Sequence, residues 1–147
     1  MAGVFDNPVL PYFAFYATVV VLKTMAMSFL TSLNRLSKGV FANPEDVGFS
    51  PGKGKIAADE SIERVRRCHL NDLENVIPFV LVGLLYTASG PSLSSALLHF
   101  RIFTGARIFH TIAYLFALPQ PSRALGFFVG VIATVSMAYN VLSAAKC

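Results

Sequence analysis

The sequence predicts an all-α integral membrane protein, a bundle of four transmembrane helices, and three observations lead there. Apolar residues make up 54% of the 147-residue chain and charged residues only 14%, against about 25% charged in an ordinary water-soluble domain. Fourteen of the twenty charged residues, seven basic and seven acidic, lie between Arg35 and Glu74. Outside that segment run long uncharged stretches: Val76 to Phe100, Ile108 to Ser122 and Ala124 to Ala145 carry no charge, and Leu10 to Asn34 carries only Lys23. A hydrocarbon core about 30 Å thick is crossed by roughly 20 helical residues. The chain is therefore read as one transmembrane domain over residues 1–147, with spans at about 9–35, 62–89, 94–117 and 122–144 and a polar loop at about 36–61.

Span one is read as a retained helix. A secretory leader has a basic head and a short apolar stretch; here Asp6 precedes the run, no base comes before Lys23, and the apolar region is long. Span two opens at Asp59 or Ser61 as cap, with Glu63 near the positive end of the helix dipole. Pro78 lies inside it, which membrane helices tolerate. Ser89-Gly90-Pro91-Ser92 separates spans two and three, and Leu118-Pro119-Gln120-Pro121 separates three and four. These turns are short, so spans two to four should pack as antiparallel neighbours. The runs are continuous rather than alternating, which excludes barrel strands. The composition excludes disorder, and Cys68 and Cys147 form neither a disulfide scaffold nor a metal-ligand pattern. The segment from Asn34 to Arg67 carries seven lysines and arginines, so the loop at 36–61 and the turn before Arg123 should both face the cytosol.

Ionisable residues inside the spans carry the functional signal. Each costs about 2.5–3.5 kcal/mol at mid-span, so each needs a partner or a purpose. Helical spacing places Arg67, Asn71 and Glu74 on one stripe of span two, and Arg107, His110 and Tyr114 on one face of span three. Arg35 ends span one and Arg123 opens span four on the same side. The expectation is one polar pocket open to the cytosol, in which Arg35, Arg66, Arg67, Arg107 and Arg123 outnumber Glu74 and Asp72. Guanidinium groups bind carboxylates bidentately, so the pocket suits a small anionic peptide whose amine Glu74 would hold. Structural readings stand beside this one: Arg64 and Arg66 as interfacial residues, Arg107 and Glu74 as a clamp between helices, His110 and Tyr114 as packing groups, His99 and Arg101 as structural. Lys23 is expected to pair with a carbonyl or to snorkel. Cys68 is read as a buried, inert thiol, with a reactive one as the alternative.

Four segments carry a resemblance over essentially the whole chain: Phe41-Ala-Asn-Pro-Glu-Asp46, Glu63-Arg-Val-Arg-Arg-Cys-His-Leu-Asn-Asp-Leu-Glu74, His110-Thr-Ile-Ala-Tyr114 and Leu118-Pro-Gln-Pro-Ser-Arg123. In order and spacing they resemble the MAPEG family of microsomal glutathione enzymes, closest to its type 1 transferase branch. The resemblance implies a homotrimer in the endoplasmic reticulum or mitochondrial outer membrane. Glutathione, the co-substrate, would lie between subunits near the cytosolic side, and no metal is implied. It further implies that Arg35, Arg66, Arg67, His69, Asn71, Glu74, Arg107, His110 and Tyr114 bind glutathione, that Arg123 is the catalytic arginine, and that Asp46 is a second, weaker catalytic candidate. The expected activity is conjugation of glutathione to hydrophobic electrophiles, with reduction of lipid hydroperoxides beside it.

Departures discriminate within the family. Leu70, Met25, Ala124 and Phe127 stand where the prostaglandin E synthase branch has arginine, tyrosine, serine and tyrosine, so isomerisation of prostaglandin H is the alternative reading. Val47 stands where vertebrate type 1 transferases carry a cysteine, so activation by thiol modification at that position should be absent. A small channel or transporter is the distant alternative, and it lacks the broken helix pairs of transporters.

Overall fold

The computed structural model describes residues 7–145; Cys147 lies outside them. Four α-helices account for most of the chain: α1 (Leu10–Lys38), α2 (Glu60–Ala88), α3 (Leu93–Leu115) and α4 (Ser122–Ala144). By length and composition α1, α2 and α4 could each cross a membrane. Helix α3 matches α4 at 23 residues, but His99, Arg101, Arg107 and His110 make it less apolar. The loop expected at 36–61 contains structure that hydropathy does not foretell. Strands β1 (Val40–Phe41) and β2 (Lys55–Ile56) pair in parallel, and a 3-10 helix over Pro44–Phe49 lies between them.

Local chemistry explains the ends of the helices. Gly39 caps α1 in the left-handed region at φ 61°, its N–H returning to the carbonyls of Arg35 and Leu36, a conformation favouring glycine. Asp59 is the cap of α2, accepting from the backbone N–H of Ser61 and Ile62. Lys38 from the end of α1 donates to both Asp59 carboxylate oxygens at 2.9 and 3.0 Å, tying the two helix ends together. The Ser61 hydroxyl, the Lys38 ammonium and the Ile62 amide hold the Asp59 carboxyl well below the usual carboxylate range. Because this pKa is depressed on folding, the cap is intact above the unfolded value near 4 and is lost as pH falls through the lower folded one. The protection of the Ser61 and Ile62 amides, corrected for the intrinsic pH dependence of exchange, should accordingly stay flat from neutral pH down to about pH 4 and fall below it. A response centred near neutrality would contradict the assignment.

Pairs of contacts fix the directions of the helices. From α1 to α2, Arg35 meets Glu63 and Lys23 meets Asp72, while Asn7 reaches the Thr87 carbonyl. From α2 to α3, Cys68 meets Thr111, Arg107 meets Asp72, and Tyr86 meets Ser95. From α3 to α4, His99 meets Ser136, and Gly126 lies so close to His110 that an added Cβ would sit 3.0 Å from its Cβ. In each pair the numbers rise on one helix as they fall on the other, so successive helices are antiparallel. The strand-bearing loop and the turn before Arg123 therefore share one end of the bundle.

The packing is that of a protein whose solvent is apolar. Phe13, Phe79, Phe100 and Phe103 form a buried aromatic centre, with Phe79 and Phe103 stacked at 3.8 Å. Large apolar side chains also face outward, among them Phe15, Leu22, Phe29, Leu81, Phe128 and Ile132. Meanwhile Asp72 and Arg107 are completely buried. Water would penalise that outward apolar surface, whereas lipid does not.

Candidate functional site

The expected polar residues do gather at the loop-bearing end, but not in one pocket of one chain. The deepest group sits between α2, α3 and α4. Arg107 Nη2 donates to Asp72 Oδ1 at 2.6 Å and to Asn71 Oδ1 at 2.9 Å. The same nitrogen lies 3.3 Å from His110 Nδ1. The guanidinium's Nη2 carries two hydrogens, which Asp72 and Asn71 take at the shorter distances, so the approach to His110 is a secondary contact. Its other nitrogens, Nε and Nη1, have no protein partner although both are buried.

Above this group opens a cleft of about 320 Å³ lined by Asn71, His110, Tyr114, Gln120, Arg123, Ala124, Phe127 and Phe128. Arg123 enters it from the first turn of α4 and lies over the Tyr114 ring, 5.0 Å from its centroid. Its Nε is buried and unpartnered. The closeness of Gly126 to His110 brings this end of α4 against α3. One wall of the cleft is cationic and the other, at Phe127 and Phe128, is aromatic.

The remaining candidates face elsewhere. Arg66, Arg67 and His69 line a concavity on the outer surface of α2 with Glu63, Leu70 and Leu73. Arg67 pairs with Glu60 at 2.6 Å, Arg66 with Glu63 at 3.1 Å, and Arg35 with Glu63 at 3.5 Å. Arg35 and Asp46 line a third cleft with Ser32, Leu36, Phe41 and Phe49, and Asn43 donates to Asp46 at 3.1 Å. Glu74 is exposed and lies beside Asn75, Pro78, Val131, Thr134 and Val135. Pro78 lacks an N–H, so the Glu74 carbonyl loses its helical partner at the same place.

Three expectations need correction. The single pocket separates into several surfaces because Asn71 lies about 60° round the helix from Glu74, enough to turn it inward while Glu74 stays outside. The clamp on Arg107 is Asp72, not Glu74. Lys23 neither meets a carbonyl nor snorkels; it lies 2.5 Å from Asp72 Oδ1. Other readings are met: His99 bonds the Ser95 carbonyl and Ser136, Arg101 bonds the Tyr16 hydroxyl, and Cys68 is fully buried.

The MAPEG family model matches residues 13–143. The chain belongs to the MAPEG family. Among its members, mouse microsomal glutathione S-transferase 1 is 58% identical over 141 residues, covering 93% of this chain and 91% of the relative. The human protein of the same name is 57% identical over 146 residues, covering 97% and 94%. Human prostaglandin E synthase is more distant, 36% identical over 139 residues, covering 95% of this chain and 91% of its own. This MAPEG chain thus stands nearer the transferases, as its departures at Met25, Leu70, Ala124 and Phe127 indicate.

Proposed function

We propose that the protein is a membrane-embedded glutathione transferase that ionises the glutathione thiol and conjugates it to hydrophobic electrophiles. The observation that carries the reading is the Arg123 guanidinium, lodged against Tyr114 with a buried, unpartnered nitrogen at the mouth of the Asn71–His110 cleft. Glutathione has two carboxylates, an amine and a thiol. Arg107 lies buried behind Asn71 and His110, which line the cleft, so its charge favours a carboxylate there, and Glu74 suits the amine. The high identity to microsomal glutathione S-transferase 1 supports the same reading.

A free thiol with a pKa of about 8.5 is only a few per cent thiolate at neutral pH. Lowering that pKa by about two units corresponds to about 2.7 kcal/mol. A guanidinium about 4 Å from sulfur, at an effective dielectric of about 20, supplies energy of that order. The thiolate attacks the electrophilic carbon, the carbon–sulfur bond forms, and the leaving group departs with its electron pair. The thiol proton goes to water. Phe127 and Phe128 receive the apolar partner from the lipid; Asp46, in a separate cleft of the same subunit, reaches the chemistry only from a neighbouring copy. Lipid hydroperoxides are a second substrate class for the same thiolate.

The site is completed by neighbouring copies in a homotrimer. Arg66, Arg67 and Glu74 sit on the outward face of α2, and at Glu74, the deepest of them, a charge facing lipid would cost up to about 2.5–3.5 kcal/mol; a second subunit covering that face removes the cost and brings them to the cleft. The chain forms a single transmembrane domain of four spans, α3 included. It resides in the endoplasmic reticulum membrane with the cleft toward the cytosol.

Equilibrium binding of glutathione to detergent-solubilised protein, followed by conjugation of chlorodinitrobenzene, tests the reading; absence of both overturns it. Glu74→Gln should weaken binding by about tenfold, the size of one lost charge-assisted contact. An unchanged dissociation constant would assign Glu74 to the helix contacts alone.

A further inference from the structure

Two charges inside the bundle, Asp72 fully buried and Lys23 with 16% of its side chain exposed, belong to none of the expected ligand groups. Asp72 Oδ1 lies 2.5 Å from Lys23 Nζ on α1 and 2.6 Å from Arg107 Nη2 on α3. The side chains of Asp72 and Arg107 have no exposed surface. One carboxylate thus serves two cations, and the group carries one net positive charge. The charged and titratable groups facing it are Lys23 from α1, Cys68 from α2, Arg107 and His110 from α3, and Arg123 from α4. Were Lys23 absent, Asp72 would cancel the charge of Arg107. With Lys23 present, the carboxylate is already neutralised, and the charge on Arg107 is left for an incoming anion. Asp72 also fixes the guanidinium so that the same nitrogen meets Asn71 and His110, both of which line the cleft.

We propose that Lys23 and Asp72 are positioning residues for the thiol site: Asp72 aims the Arg107 guanidinium, and Lys23 cancels the carboxylate's charge so that the cluster keeps a net positive charge toward bound glutathione. Neither side chain lines the cleft. They act through Arg107, from the far side of the bundle. The inference rests on the glutathione-transferase reading above.

The experiment uses the full chain in detergent or liposomes, with glutathione as ligand and chlorodinitrobenzene as electrophile. Lys23→Met should reduce kcat/KM for glutathione by about tenfold, the scale of one removed partner in a polar network. It should also move the acid limb of the pH profile upward, because the thiolate loses one stabilising charge. Lys23→Arg should restore both. The double variant Lys23→Met with Asp72→Asn returns the net charge to one, so its acid limb should move back toward the parent while KM stays raised through the lost anchor. A merely structural pair would lower the folded fraction without moving the pH profile. An unshifted acid limb in folded Lys23→Met, or no return of that limb in the double variant, overturns the proposal while leaving the transferase reading intact. Failure of the parent protein to bind glutathione overturns both.

Discussion

Arg123→Ala should retain glutathione and lose most of its conjugating activity. Removing one preorganised donor from a developing or resting anion costs about 10²–10³-fold in kcat. Binding is expected to persist because, on the proposed reading, the carboxylates and amine of glutathione are held by groups other than Arg123. The pH dependence adds a second signature. On the proposed reading Arg123 lowers the thiol pKa, so without it the thiol should titrate near its free value of about 8.5. The deficit relative to the parent should therefore narrow as pH rises through that value. Arg123→Lys should recover part of the rate, since an ammonium supplies charge but not the planar group that lies on Tyr114. Stopped-flow conjugation of chlorodinitrobenzene across pH, with glutathione binding measured in parallel, checks each part. Full activity in Arg123→Ala would remove it from the chemistry.

The largest effect on stability should come from Asp72→Ala. It leaves the Lys23 and Arg107 cations close together in the bundle interior with no anion between them. Breaking a buried ion pair by deleting one partner costs about 3–5 kcal/mol, because the remaining charge is left uncompensated. The comparison with Arg67 and Glu60 is instructive. That pair is equally short at 2.6 Å, but its side chains are 48% and 69% exposed. Exposed pairs contribute about 0–1 kcal/mol, so Glu60→Ala should change little. Thermal unfolding of the two variants in the same detergent, followed by helical circular dichroism, distinguishes them. Equal stability in both would contradict the arrangement of charges described here.

How much of this was legible beforehand varied with the kind of residue. The helical architecture was legible because lipid imposes a requirement that reads directly as long apolar runs, met by α1, α2 and α4, and the helix bounds differ from expectation by only a few residues, where Asp59 and Gly39 set the ends. The small parallel pair Val40–Phe41 with Lys55–Ile56 was not legible, since two-residue strands carry no periodic signal. The polar residues of the site were legible as residues, because a charge in an apolar run demands an explanation. Their partners were not. Lys23 required an anion, but Asp72 and Glu74 lie two residues apart in sequence and are both at plausible depth. Only the rotation of α2 decides that Asp72 faces α1 and α3 while Glu74 faces outward.

Sequence alone therefore determined the helical membrane architecture, the end of the bundle that carries the cations, and the motifs that mark the family. These depend on composition and spacing along one chain, and hydrocarbon reads both without reference to neighbours. Tertiary structure decided which charge meets which: Lys23 and Arg107 on one oxygen of Asp72, Arg123 on Tyr114, and Arg66, Arg67 and Glu74 on an outer face. Electrostatic energy depends on distances of a few ångströms between different helices, and those distances follow from how each helix is rotated in the bundle.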